Sequence, residues 1–442
     1  MPGAKASVLA QFNAPLTLRE FPLPSQLEPG AALVRTEMAG ICGTDVHLWK
    51  GQLPISLPII LGHETVGCIE QLAEGLERDC TGQPLKIGDR VTWTSTTSCG
   101  GCYYCKVKHQ PTRCPQRRAY GIGYRCDQPP HLFGGYAQFH YLRPRTNIFK
   151  IPDNLPTEAV LGAGCALITA IHGIERICVE SASGLSPGER TDEMPRVSSV
   201  AQASLPAGSS GVAAASETLR AANPGEPAAK DGCATRAPET LNTGRMPVLP
   251  SLWRDYLVVQ GAGPVGIAAL AVAKSAGAGQ VVVIGGPRHR LEMARRFGAD
   301  HTIDIGEMHE ASSRIDAVRR LTGGYGADVV LECVGLPGAV AEGMEMCRDG
   351  GKYLVLGHYC DAGTVAFNPH VITRKQLQVF GSWSSEPRHL GVALAFLQAT
   401  SKVFPFAETV THRFPLERAN EALMATANWQ SAKSVIVPWT IA

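Results

Sequence analysis

A glycine-rich turn between two apolar runs limits what this chain can fold into more than any other feature. Val258-Val259-Gln260-Gly261-Ala262-Gly263-Pro264-Val265-Gly266 places glycines at the first, third and sixth positions of the turn. Gly261 permits a tight bend, Gly263 lets the backbone approach a pyrophosphate, and Gly266 lets a helix pack closely on a strand. A helix opening here, with Pro264 and Val265 in its first turn, points free N–H groups and the positive end of its dipole at an anion. The surroundings fit. Leu257–Gln260 reads as a buried strand, Val265–Ala276 as a helix, Val281–Ile284 as the next strand and Arg290–Phe297 as a helix; Asp328–Cys333 and Lys352–Leu356 supply two later strands. Strands alternating with helices of this length predict a parallel, doubly wound sheet.

The chain ahead of this region has a different texture. From Met1 to about Pro156 short apolar runs such as Ala31–Met38, Thr65–Leu72 and Arg90–Trp93 are broken by Gly and Pro, the pattern of an all-β, barrel-like domain. A third texture interrupts the second. Residues 179–250 are rich in Ala, Ser, Gly, Pro and Glu and contain no Phe, Trp or Tyr, so they bury too little apolar surface to offset their ordering entropy. They are expected to form a disordered insertion.

With 442 residues, 44% of them hydrophobic and 18% charged, the chain has room for two or three globular domains. A net charge of +2 gives no field that would attract nucleic acid or an acidic membrane, so neither partner is expected. The first ten residues show no signal-peptide run, and no stretch approaches the roughly 18 consecutive apolar residues of a spanning helix. The expectation is a soluble, cytoplasmic protein. Four of its fourteen cysteines fall within residues 99–114, and in an intracellular enzyme clustered cysteines more often bind metal than pair as disulfides.

That cluster is Cys99, Cys102, Cys105 and Cys114. Four thiolates in one short loop can close a tetrahedral shell, which is a structural metal site with no position open for substrate. A zinc ribbon for nucleic acid would need two knuckles further apart with basic flanks. A second set is dispersed: Cys42 with Thr44, Asp45 and His47 behind it, a His63–Glu64 pair, and Cys165 at the domain junction. Two thiolates and one imidazole leave a fourth position open, the arrangement expected of catalytic zinc. Beyond the glycine turn, the position that should carry a ribose-binding carboxylate is Gly285, followed by Arg288, His289 and Arg290. Without the carboxylate a 2′-phosphate is not repelled, and a nearby Arg can pair with it.

On Gly40–His47, Gly62–Gly67, Gly88–Val91, Cys99–Cys114, Gly164–Thr169 and Gly261–Gly266 together, the chain resembles the zinc-dependent medium-chain dehydrogenases/reductases, which include alcohol, sorbitol and threonine dehydrogenases. The resemblance covers nearly everything except residues 179–250. It implies an α/β fold made of a GroES-like β-barrel catalytic domain, residues 1–160 completed by 386–442, and a Rossmann cofactor domain over 161–385. It also implies a homodimer or homotetramer.

By position, Cys42, His63 and Cys165 resemble the ligands of a catalytic zinc, and Asp45 the acceptor that orients His63. Glu64 resembles the carboxylate beside the metal, Thr44 and His47 a proton relay through the cofactor ribose, and Thr169 the residue packed on the nicotinamide. Two zinc ions per chain and NAD or NADP follow, with NADP modestly favoured. The last span of the cysteine loop is one residue longer than the family's usual. The implied reaction is reversible hydride transfer between an alcohol and its aldehyde or ketone. A polyol- or threonine-type dehydrogenase and a non-catalytic relative are the alternatives, and Trp49, Leu53 and Trp93 are the expected lining of an apolar substrate pocket.

Overall fold

The structure, a computed structural model, describes residues 3–179, 249, 251–252 and 254–439. The insertion expected over 179–250 therefore lies almost wholly outside the described residues.

The glycine turn sits where the alternating pattern predicts. Tyr256–Gln260 is the first strand of a parallel sheet, which among the described residues has the order His301–Asp304, Gln280–Gly285, Tyr256–Gln260, Ala327–Glu332, Cys347–Val355, Gln378–Gly381. The strand order reverses between Tyr256–Gln260 and Ala327–Glu332, and ligands of such sheets bind in the crevice at that reversal. Gly261 adopts φ +109, and a Cβ on Gly266 would collide with the Gly261 carbonyl. Both positions thus need glycine for a physical reason. Pro264 opens the helix Pro264–Ser275, where a missing N–H costs nothing.

The N-terminal region forms antiparallel sheets. In the larger one, Ala32–Gly40 pairs with Glu64–Leu72, which pairs with Arg90–Trp93. Two strands from the far end of the chain complete this sheet: Lys433–Val437 pairs Val435 with Gly40 and Ile436 with Ala39, and Val410–Pro415 lies beside it. The return begins at Val410, later than the expected Glu386. The helix Pro387–Thr400 packs instead against the helix Thr157–Val179, within the core shared with the parallel sheet.

Thr157–Val179 joins the two halves. By length and composition its stretch Thr157–Cys178 could cross a membrane, which the count of consecutive apolar residues did not reveal. It is a core helix, however: 72% of its most apolar window is buried inside the protein. The helix is broken at Gly164, whose φ of 48 and ψ of −150 are not helical.

Candidate active site

Three separated segments meet at that break. Cys42 closes the N-terminus of the helix Gly43–Trp49, and its N–H donates to Asp45 Oδ2 at 2.9 Å. Asp45 is fully buried; its other oxygen accepts from the N–H of Gly62 at 3.3 Å and lies 3.4 Å from His63 Nδ1. The His63 contact is electrostatic, without hydrogen-bond alignment. Gly62 takes φ +93 against the ring of Tyr136, which turns the next residue, His63, inward. At Gly164 a Cβ would collide with the Glu64 carboxylate, so only glycine lets the helix break this close. The break frees the N–H of Cys165 to donate to Glu64 Oε1 at 2.7 Å.

The result is a compact donor set. Single ligand atoms of Cys42, His63, Glu64 and Cys165 all lie within 4.8 Å of one another, with the two sulfurs 3.5 Å apart. The contact with Cys165 holds the Cys42 thiol well below its ordinary range and pushes Cys165 up, as expected of two thiols sharing one hydrogen. Burial would lower His63, but Asp45 outweighs it and raises the imidazole.

Glu64 has a partner that sequence reasoning missed. Lys433, buried at the start of the last strand, forms an ion pair with Glu64 Oε2. Burial alone would raise the Glu64 carboxyl; the Lys433 charge overrides it and brings it down to about 2. Nothing local in Ala432-Lys433-Ser434 marks this role, since the partner is 369 residues away.

Thr44 Oγ1 lies 3.8 Å from Cys42 Sγ. His47 follows three residues later on the same helix, and its Nδ1 meets Gln52 Oε1 at 2.6 Å. An amide oxygen only accepts, so Nδ1 carries the hydrogen and Nε2 is left as the base. Thr169 stands one helical turn beyond Cys165.

The second cluster also assembles. Ligand atoms of Cys99, Cys102, Cys105 and Cys114 lie within 4.8 Å of one another, with Cys102–Cys105 and Cys99–Cys114 sulfur pairs each at 3.5 Å. Between Cys105 and Cys114 the chain passes through His109 in a left-handed conformation (φ 51) and a tight turn at Pro111–Arg113. Although burial opposes it, N–H groups of Gly101 and Cys102 bring Cys99 down to about 7. All cysteines among the described residues are free of disulfides.

At the glycine turn one expectation is corrected. Arg288 points to solvent and pairs with Glu292 at 3.4 Å, away from the turn. Arg290 is the residue that faces it: its guanidinium lines a cleft with Ala262, Gly263 and Pro264, donates to the Ser431 carbonyl at 3.2 Å and keeps Nε unpartnered. Gly285 also reads differently. A Cβ there would lie 2.7 Å from the Ala262 nitrogen, so close packing requires glycine whatever cofactor binds.

A cleft opens on His63, Glu64 and Cys165 and runs between Thr92–Thr96 on one side and Ser384–Glu386 with Leu390 on the other. Trp93 lines it, as expected. Trp49 and Leu53 do not: Trp49 donates its indole N–H to the Ala14 carbonyl at 2.8 Å, and both residues pack on the barrel core.

Two family profiles match this chain, "Alcohol dehydrogenase GroES-like domain" over residues 28–153 and "Zinc-binding dehydrogenase" over residues 264–399. A 5-exo-hydroxycamphor dehydrogenase of Pseudomonas putida is 30% identical, over 95% of this chain and 94% of the relative. The chain belongs to the zinc-dependent medium-chain dehydrogenase/reductase family. This dehydrogenase acts on an alcohol. It is also similar to a sorbitol dehydrogenase of Halalkalibacterium halodurans (29% identical, 92% of this chain and 91% of the relative). In structure it resembles an alcohol dehydrogenase of Thermotoga maritima, with a TM-score of 0.77 at 30% identity over 99% of this chain and all of that one.

Proposed function

We propose that this dehydrogenase holds two zinc ions per chain, one at Cys42, His63 and Cys165 and one at Cys99, Cys102, Cys105 and Cys114, and that it oxidises a small alcohol reversibly with NADP modestly preferred to NAD. The convergence of Cys42, His63 and Cys165 on one point carries this reading. Tetrahedral coordination at about 2.3 Å per Zn–S bond sets sulfurs roughly 3.8 Å apart, and the sulfur pairs of both clusters, at 3.5 Å, are close to that edge. The first set, two sulfurs and a nitrogen, meets a cleft through His63 and Cys165; the second is four sulfurs in one loop.

Zinc held by Cys42, His63 and Cys165 would supply Lewis acidity, and a nicotinamide cofactor would supply the hydride chemistry. The chain's own residues do the rest. Asp45 holds His63 and the Cys42 N–H in register. Glu64, kept ionised by Lys433, sets the charge beside the thiolates and fixes the Cys165 backbone. Thr44 takes the substrate proton towards His47, whose Nε2 is the free base near the surface. The N–H groups opening Pro264–Ser275 receive the cofactor diphosphate.

Arg290 supports the preference for NADP, because its partly buried guanidinium faces the turn and meets only a carbonyl there. Metal analysis of the purified protein should give two zinc atoms per chain; one or none would remove the reading. For the cofactor, Arg290→Met should cut the NADP/NAD ratio of kcat/KM about tenfold, the worth of one charge-assisted contact, while Arg288→Met changes it less than twofold. Equal effects of both substitutions would discard the assignment of Arg290.

A further inference from the structure

Ser384 is held in a way the reaction chemistry does not explain. It adopts φ +64, and among the described residues it is the one non-glycine residue lining the cleft with positive φ. A serine persists in that conformation only where its surroundings over-determine it, and such strain gathers where ligands are contacted.

The restraints come from both sides. His172, on the long helix, approaches the Ser384 carbonyl with Nδ1 at 2.7 Å; a carbonyl only accepts, so Nδ1 is the donor. His172 itself packs against His389, the rings tilted with centroids 4.7 Å apart, and the buried His389 meets Glu175 Oε2 at 2.9 Å. Burial, with the neighbouring His389, holds His172 below its ordinary value, which keeps it the neutral donor this arrangement needs.

From the other side, Arg117 donates to Ser384 Oγ at 2.7 Å. Arg117 is kept in place by the Trp383 face, 4.5 Å below its guanidinium, and Trp383 stacks on Tyr359. Because Arg117 donates, Ser384 Oγ is the acceptor in that bond and its own O–H is free to donate. Among the described residues that O–H has no acceptor.

The cleft it lines touches His63 and Cys165 at one end and has apolar walls, Trp93, Val160, Leu161, Ile168 and Leu390. Its carboxylates, Glu64 and Glu386, are each paired with a cation, Lys433 and Arg388, so the lining offers no uncompensated carboxylate and suits a neutral ligand. We propose that Ser384 Oγ donates a hydrogen bond to a second, neutral acceptor oxygen of the substrate, so that this dehydrogenase prefers compact alcohols carrying a carbonyl or ether oxygen remote from the reacting hydroxyl. This rests on the reading that the alcohol reacts beside Cys165.

The test compares cyclohexanol with 4-hydroxycyclohexanone, and a panel of simple alcohols beside them, on the native enzyme, Ser384→Ala and Ser384→Gly. The native enzyme should favour the hydroxyketone about tenfold in kcat/KM, the worth of one well-made hydrogen bond at the upper end of its range. Both variants should bring that ratio close to one. Ser384→Gly also relieves the left-handed strain, so its Tm should exceed that of Ser384→Ala.

A native ratio near one, or a preference surviving in both variants, overturns the proposal. So does a rise in KM for the cofactor with the substrate ratio intact, which would place the hydroxyl against the nicotinamide. Turnover of other alcohols without the hydroxyketone removes this inference alone. Turnover of no alcohol removes the underlying reading with it.

Discussion

The two cysteine clusters of this dehydrogenase are built from the same ligand chemistry by opposite routes. Cys99, Cys102, Cys105 and Cys114 come from one loop of sixteen residues, and their sulfurs are brought together by a four-residue helix, one tight turn and two left-handed residues, Gly100 and His109. Cys42, His63 and Cys165 come from a helix cap, a strand entry and a broken helix, and none would be near the others without the sheet, the glycine at 164 and the buried Asp45. The contiguous cluster is local, its four sulfurs held together by one loop. The dispersed one depends on the whole fold, faces a cleft, and has a buried ion pair, Glu64–Lys433, at its base. Proximity in sequence goes with structure, and convergence from a distance goes with chemistry.

The contrast can be broken by substitution. Cys42→Ser should lower kcat for alcohol oxidation by about a thousandfold, with far-UV circular dichroism unchanged and zinc falling from two to one per chain. Near-native turnover would end the distinction. Cys102→Ser should do the reverse: several kcal/mol of stability lost in denaturant melts, because a closed metal shell contributes directly to folding, while kcat per folded molecule stays within a few-fold. If both substitutions reduce kcat and stability alike, the clusters are not functionally separate.

Lys433 sharpens the comparison, since the contiguous cluster has no counterpart of it. Lys433→Met strands a buried Glu64 carboxylate and should cost roughly 3 kcal/mol or more. Adding Glu64→Gln should recover much of that loss, and a double-mutant cycle with no coupling would show that the pair contributes nothing.

The smallest expected effect lies in the wall near both sites. His140 is fully buried against the edges of Trp93 and Tyr120, with both ring nitrogens unpartnered, and burial drives it down to about 3. The folded state refuses a proton that the unfolded state accepts below about pH 6.5, so stability falls as pH drops from 6.5 towards 3. Between pH 6.5 and 5 this amounts to about 2 kcal/mol, and His140→Phe should flatten that limb in urea melts at each pH. An identical acid limb in the variant would assign the loss elsewhere.

Much of this was legible beforehand. The parallel sheet follows from alternating apolar runs and a glycine turn whose collisions are local, and the Cys99–Cys114 loop from spacing alone. Spacing did not separate Arg288 from Arg290 as the cation beside the turn; packing shows Arg290 facing it and Arg288 paired with Glu292. Trp49 and Leu53, expected with Trp93 to line an apolar pocket, pack instead on the barrel core.

By itself the sequence determined the fold class, the glycine turn and the spacing of the Cys99–Cys114 cluster, because each rests on residue types at short spacing whose geometry the backbone sets locally. The tertiary structure alone decided that Lys433 neutralises Glu64 across 369 residues and that Ser384 is clamped between His172 and Arg117. Those pairings depend on which side chains the closed sheet and the broken helix bring within a few ångströms, a property of packing that no local spacing encodes.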